Sequence, residues 1–149
     1  MSKFIWIIFL PMILNACVQL NVINHDEVLA AQVAKNFAEA AFVKQDYVNA
    51  YSLLSDKAKK EISSDKFKKI IIDMHPLTYP MKIAAIGYDP VLGQKAINIF
   101  IIGAEGKERF YYRLFLNGTK ENGYKTAGFF RIKKMFSASN LYREFKSPI

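Results

Sequence analysis

Residues 96–116 read AINIFIIGAEGKERFYYRLFL and determine the fold class. Their first part, AINIFII at 96–102, is almost continuously apolar, which is typical of a central β-strand covered on both faces. Their last part, RFYYRLFL at 109–116, alternates between two sets of side chains, as a strand with one buried face does. The predicted buried set is Phe110, Tyr112, Leu114 and Leu116, and the opposite set is Arg109, Tyr111, Arg113 and Phe115.

Two further strand-like runs flank this pair. Glycine-containing turns separate the four runs, and connections this short favour antiparallel pairing because parallel strands require long crossovers. The sequence therefore predicts an antiparallel sheet of about four strands. The predicted strands are residues 81–88, 95–102, 109–116 and 124–133.

Helical patterns precede the strands. Asn24 and Glu27 have the spacing of a capping box, which predicts a first helix from Asn24 to about residue 43. Asp46 predicts the N-cap of a second, shorter helix, and Ser55 and Ser64 mark further helix starts. Apolar residues recur every four positions along the first helix, at Leu29, Val33, Phe37 and Ala41.

The last helix of this block is predicted over residues 65–74 and ends at His75–Pro76, because a residue before proline disfavours helical geometry. Helices followed by strands indicate an α+β fold in which the helices pack on one side of the sheet. We predict one domain over residues 26–149. Its tail, residues 135–149, is expected to form a short helix or an extended cover over the sheet face that is turned away from the helices.

The first seventeen residues, MSKFIWIIFLPMILNAC, resemble a bacterial lipoprotein signal peptide. An apolar run from Phe4 to Leu14 follows Lys3; it is too short to span a bilayer as a helix, and Pro11 would break it. The resemblance implies removal of residues 1–16, lipidation of Cys17 and a connector over residues 17–25. A non-lipidated secreted protein and a tail-like anchor remain the alternatives.

Two segments resemble nuclear transport factor two-like (cystatin-like) domains. One is FAEAAFVKQDYVNAYSLLS at 37–55, and the other is NGYKTAGFFRI at 122–132. The resemblance implies a cone-shaped half-barrel with a pocket between sheet and helices. Members of this superfamily include isomerases, polyketide cyclases and dehydratases as well as non-catalytic domains, so the fold alone does not decide activity.

Candidate pocket residues follow from this resemblance. An enzyme of this kind requires a carboxylate, often with histidine or tyrosine, inside the cone. Asn98 is the one polar residue on the run predicted to face inward, and no acid accompanies it between residues 96 and 102. We therefore predict no catalytic residue. The candidate pocket comprises Tyr51, Asn98 and Tyr112, and the titratable groups weighed for catalysis are Asp73, His75, Tyr51 and Tyr112.

Other site chemistry finds no support in the residue pattern. The two histidines, His25 and His75, lie far apart, and Cys17 is the only cysteine, so no metal site of common spacing is present. No phosphate-binding glycine pattern or nucleophile elbow occurs. We predict neither a cofactor nor a metal.

Positive charge favours anionic partners. The formal net charge is +8, which suits phospholipid headgroups, acidic envelope polymers or acidic proteins, whereas nucleic acid is excluded for an exported chain. A solvated face that only maintains solubility is the alternative. The residues expected to share the outer sheet face are Arg109, Arg113, Lys125, Arg131 and Lys133.

These observations predict a lipid-anchored envelope protein. It is expected to act as a non-catalytic binding or accessory module, attached to a membrane through Cys17, with an envelope protein or anionic polymer as its partner. Val18 follows the cysteine, where aspartate would indicate inner-membrane retention in enteric-type sorting, so the outer membrane is favoured. An isomerase- or cyclase-like enzyme and a structural tether on an anionic surface are the alternatives.

Overall fold

The helices come first in the chain and the strands follow. A computed structural model describes residues 23–133 and 141–149. The predicted α+β class is confirmed, since helices pack on one face of an antiparallel sheet. The helices are α1 (Glu27–Ala38), a π-helix (Glu39–Val43), α2 (Tyr47–Ser52), α3 (Asp56–Glu61) and α4 (Ser64–Met74).

Side-chain caps define where the helices begin. Asp26, not Asn24, caps α1, because its carboxylate accepts a hydrogen bond from the Leu29 amide at 2.9 Å. Asp46 caps α2 and Ser55 caps α3, which confirms both predictions. The cap of α4 is Ser63, one residue before the predicted start.

The predicted first helix changes its geometry before it ends. After α1 the chain continues as the π-helix, in which the Lys44 amide bonds to the Glu39 carbonyl at 2.8 Å. The next residue, Gln45, has a φ of 54°, the left-handed conformation that few residues other than glycine adopt. The Asp46 amide then bonds to the Ala40 carbonyl at 2.8 Å, which closes the turn into α2.

The sheet contains the four predicted strands and a short fifth strand from the tail. Its strand order is β4-β3-β2-β1-β5, and every pairing between strands is antiparallel. The alternation predicted for β3 is confirmed, since its even-numbered residues from Phe110 to Leu116 are buried. The strands are β1 (Lys82–Pro90), β2 (Ala96–Glu105), β3 (Glu108–Thr119), β4 (Gly123–Ile132) and β5 (Arg143–Glu144).

Two β-bulges interrupt the alternation of the strands. One lies in β1 between Ala85 and Gly87, and the other shifts the register of β4 against β3 between Phe115 and Leu116. Because of the second bulge, Thr126 and Phe129 are both on the helix-facing side of β4, although they are three positions apart. The backbone of Thr126 also accepts a hydrogen bond from the Ser55 amide at 2.8 Å.

Aromatic rings fill the space between helices and sheet. Phe37 of α1 lies edge-on to Phe42 and Phe67, with ring centroids 6.0 and 6.1 Å apart, and lies 5.4 Å from Phe129. Phe42 stacks on Tyr112 at 4.4 Å. Each buried ring of this kind contributes about 1.5–3 kcal/mol through burial, so this layer is a major part of the core.

The described part of the tail runs along β1. Tyr142 lies on the outer face of the sheet, edge-on to Phe100 with centroids 5.2 Å apart, and β5 then pairs with β1. Phe145 packs on Tyr88, and Ile149 exchanges two backbone hydrogen bonds of 3.0 Å with Ala85. The tail is thus extended and covers part of the expected face.

The predicted leader lies outside the described residues, as does Cys17. Among the residues that are described, no helix has both the length and the apolar character needed to cross a bilayer. The longest of them, α1, has twelve residues.

The close contact between Tyr142 of the tail and Gly87 of β1 can be tested by substitution. A Cβ atom at Gly87 would lie 2.5 Å from the Tyr142 hydroxyl. We expect Gly87→Ala to lower the free energy of unfolding by about 1–3 kcal/mol, because it overpacks this contact. Chemical denaturation measures the change.

A double-mutant cycle supplies the control for this test. In a Tyr142→Ala background the ring is absent, so Gly87→Ala is expected to be neutral or slightly stabilising. An equal loss of stability in both backgrounds would mean that the tail does not cause the constraint.

Candidate functional site

The most deeply buried titratable pair joins the end of α4 to the centre of the sheet. His75 follows α4 and is 4% exposed, while Tyr112 of β3 is fully buried. The His75 Nε2 atom lies 2.7 Å from the Tyr112 hydroxyl, and the Nδ1 atom lies 2.8 Å from the Ile71 carbonyl. Both imidazole nitrogens therefore have a partner.

These contacts fix the proton positions of the pair. A carbonyl only accepts, so Nδ1 carries the proton and donates it to Ile71. In neutral His75 the Nε2 atom is then an acceptor, and the Tyr112 hydroxyl donates to it. The pair forms a closed chain in which each polar atom is satisfied within the protein.

Burial determines the ionisation of both side chains. Burial lowers the pKa of His75, the Ile71 carbonyl raises it, and the positive charge of Arg131 lowers it further. Burial raises the pKa of Tyr112, which Arg131 partly opposes. At neutral pH both groups are therefore uncharged.

An aromatic stack connects this pair to the surface. The Tyr79 ring stacks on His75, with centroids 4.5 Å apart and planes inclined by 17°. Burial raises the pKa of Tyr79 to about 12, and its hydroxyl lies 3.3 Å from the Tyr47 hydroxyl. Tyr79 also lines a surface pocket, so one aromatic ring contacts both the buried pair and that pocket.

The pocket is a feature that the sequence reasoning missed. It has a volume of about 430 Å³, and its most unusual group is Glu105, whose Oε2 atom is buried without a hydrogen-bond partner in the described structure. A signal existed, because Glu105 continues the inward alternation of Ile97, Ile99 and Ile101 along β2. The lining residues are Val43, Gln45, Thr78, Tyr79, Pro80, Met81 and Glu105.

The predicted pocket residues do not meet. Tyr51 donates its hydroxyl to the Ile62 carbonyl at 2.9 Å, and Tyr112 bonds to His75. Asn98 lies on the outer face instead of the predicted inner one, since it alternates with the core residues Ile97 and Ile99. Tyr51 and Tyr112 face the core from opposite layers, and Asn98 faces away from both.

The predicted basic face is divided by the bulge in β4. Arg131 pairs in register with Tyr112 and so lies on the helix side, where it donates to the Met74 carbonyl at 2.6 Å and covers the Phe110 ring. Arg131 thereby satisfies a carbonyl at the end of α4. Arg113 remains on the outer face, with its guanidinium 5.0 Å from the Phe130 ring centroid.

The other basic residues of the predicted set are exposed. Arg109 alternates with Arg113 along β3 and donates to the carbonyl groups of Gly106 and Glu108 at 3.1 and 3.0 Å. Lys125 pairs with Asn117 on the same face, and Lys133 follows the end of β4. The outer face thus carries Arg109, Arg113 and Lys125, but not Arg131.

Asp73, which was considered for catalysis, and His25, which was considered only as a metal ligand, both have structural partners. Asp73 forms an exposed ion pair with Lys69 at 2.6 Å, four residues earlier on α4. The Nδ1 atom of His25 lies 3.3 Å from the Tyr124 hydroxyl, which itself accepts from the Asp26 amide. Across residues 23–133 and 141–149, no group of three or more His, Cys, Asp or Glu residues is arranged to hold a metal ion.

The histidines predict a pH dependence of stability. In the unfolded chain His75 binds a proton as the pH falls through about 6.5, whereas in the folded protein its lowered pKa keeps it neutral. The free energy of unfolding is therefore expected to fall as the pH decreases from 7.5 to 5.5 and to level off below the folded pKa. Denaturant titrations at several pH values measure it.

Histidine variants show how much of this pH dependence of the free energy of unfolding each histidine causes. His75→Gln keeps an acceptor for Tyr112 but does not titrate, so we expect a smaller decrease than in the wild type. His25→Gln is the matched control, because burial also lowers the pKa of His25. Each variant should remove only the part of the pH dependence of stability that its own histidine causes. A wild-type slope in His75→Gln would contradict the neutral pair.

No protein-family model matches the chain. No curated protein matches it, and no solved structure does either. The fold class therefore rests on the observed helices and sheet, and the function is argued from the side chains that these elements bring together.

Proposed function

We propose that this chain is a lipid-anchored protein of the bacterial envelope whose domain is a non-catalytic binding module. The leader supports the anchor, because LNAC at 14–17 resembles a lipobox and places Cys17 at the mature amino terminus. Two or more acyl chains hold a protein stably on a membrane, since each buried methylene contributes about 0.8 kcal/mol. The favoured location is the periplasmic side of the outer membrane.

The filled interior is the observation that carries the proposal. A cone-shaped enzyme of the nuclear transport factor two-like kind requires a cavity between sheet and helices. In this chain Phe37, Phe42, Phe67, Phe110 and Tyr112 are buried in that space to 1% exposure or less. The packing favours binding through the surface over chemistry in the interior.

The polar groups in the interior also favour binding over catalysis. His75 is the only described histidine inside the core, and both of its nitrogens are occupied by Ile71 and Tyr112. A general base needs a free nitrogen within reach of a substrate proton. The enzyme alternative therefore lacks an available base at this pair.

A second candidate function is contact with an anionic surface. The outer face carries Arg109, Arg113 and Lys125 together with Phe130, which is 47% exposed under the Arg113 guanidinium. Each Lys or Arg near an anionic membrane contributes on the order of 1 kcal/mol. An aromatic ring beside such cations suits insertion at the headgroup level.

Palmitate labelling in bacterial cells tests the anchor. The wild-type chain is expected to incorporate label and to sediment with membranes. Cys17→Ser removes the only thiol, so this variant is expected to incorporate none. Equal labelling of both chains would contradict lipidation.

Vesicle sedimentation tests the anionic-surface candidate independently, using the Cys17→Ser chain at low salt. Arg109→Ala, Arg113→Ala and Lys125→Ala together are expected to lower binding to phosphatidylglycerol vesicles about 100-fold, because three cations leave the contact face. The control removes three exposed helical lysines, Lys57, Lys60 and Lys66, and thus the same net charge. Equal losses in both triple variants would mean that net charge, and not this face, determines binding.

A further inference from the structure

The surface pocket beside Tyr79 is a third feature of the protein, apart from the proposed lipid anchor and the outer sheet face. We propose that it binds a primary ammonium group attached to a short apolar chain, with Glu105 as the acceptor of that group. The pocket lies between the end of the π-helix and the start of β1. Its volume of about 430 Å³ is in the range of small-molecule sites.

The charge of the pocket comes from Glu105. Its Oε2 atom is buried, has no hydrogen-bond partner in the described structure, and forms no ion pair there. A carboxylate at a pocket without an ion-pair partner in the described residues favours a cationic ligand, which it would hold by a charge-assisted hydrogen bond. Because Oε2 has almost no accessible surface, we assign the acceptor role to the other carboxylate oxygen of Glu105, which is only partly buried and is one of the lining residues.

The remaining lining distinguishes an ammonium from other cations. Since Oε2 is inaccessible, only one oxygen of Glu105 is available to a ligand, which suits a compact donor better than the two-pronged guanidinium. Gln45 and Thr78 supply further oxygens for the three N–H groups of a primary ammonium. The Tyr79 ring adds an aromatic wall that attracts cations.

The apolar wall accounts for the chain of the ligand. Val43, Pro80 and Met81 line the pocket, and Met81 is 74% exposed at its rim. Pro80 can pack closely because Gly103 has no side chain; a Cβ atom there would lie 2.8 Å from the Pro80 Cβ. This wall is suited to a few methylene groups.

The backbone at the pocket is held in an unusual conformation. The π-helix ends at Val43, and Gln45 adopts its φ of 54° two residues later. Left-handed residues other than glycine and π-helical turns both cost free energy and are enriched at functional sites. Here both features place lining residues, and they support the assignment of this pocket as a site.

Amide chemical shifts of the full chain in detergent micelles at pH 7 test the proposal. Pentylammonium is expected to produce saturable shifts at Gln45, Thr78 and Met81. 1-Pentanol has the same chain without charge, and pentyltrimethylammonium has the charge without N–H groups, so both should bind at least about tenfold more weakly. Equal affinity for pentanol would overturn the proposal, as would absence of saturable shifts.

Variants locate the acceptor. Glu105→Gln keeps the shape of the side chain but loses the charge, and we expect its affinity for pentylammonium to fall about tenfold or more. The matched control is Glu108→Gln, which removes an exposed carboxylate from the same hairpin and should change affinity less than about twofold. Unchanged affinity in Glu105→Gln, with an unaltered amide spectrum, would overturn the assignment.

The source of the ammonium group is distinguished by a second probe. A blocked tripeptide with a central lysine presents the same group on a peptide. Binding tighter than that of pentylammonium would support the site and assign it to a lysine of a partner protein. Weaker but saturable binding at the same amides would support it and assign the site to a free amine.

Discussion

The hydrogen bond between His75 and Tyr112 is the interaction on which the arrangement of the molecule depends. It is a buried polar link between the helical layer and the centre of the sheet, at 2.7 Å, and aromatic rings surround it. A buried imidazole without this partner would carry an unsatisfied nitrogen, which costs about 1–3 kcal/mol. Pro76 ends α4 before His75, and the bond holds the imidazole ring on which Tyr79 stacks.

From this link the structure extends in two directions. Toward the surface, Tyr79 stacks on His75 and also lines the pocket that contains Glu105. Toward the edge of the sheet, Arg131 donates to the last residue of α4 and contributes positive charge that lowers the pKa of His75. The aromatic residues between helices and sheet are buried, whereas the pocket and the outer sheet face lie at the surface. This division underlies the proposal that the domain binds and does not catalyse.

Much of the fold followed from the sequence, because its signals are local. The alternation at 109–116 and the caps at Asp46 and Ser55 depend only on neighbouring residues. The two bulges did not follow, since a bulge is a relation between strands. Gly87 and Gly128 nevertheless lie beside them, and a glycine within a strand pattern is a signal for a bulge. The missed bulge in β4 explains why Arg131 was predicted on the wrong face. The missed pocket has a similar cause, because Glu105 and Gln45 lie far apart in the chain.

The tautomer of His75 tests the central interaction most directly. Long-range ¹H–¹⁵N spectra of the full chain, assigned with His75→Gln, distinguish a protonated Nδ1 from a protonated Nε2. At pH 7.5 we expect a neutral ring with its proton on Nδ1, because Ile71 accepts that proton and Tyr112 donates to Nε2, and we expect the ring to take up a second proton only at a lower pH than a free histidine does. A proton on Nε2, or a ring that titrates near pH 6.5 like a free histidine, would contradict the account.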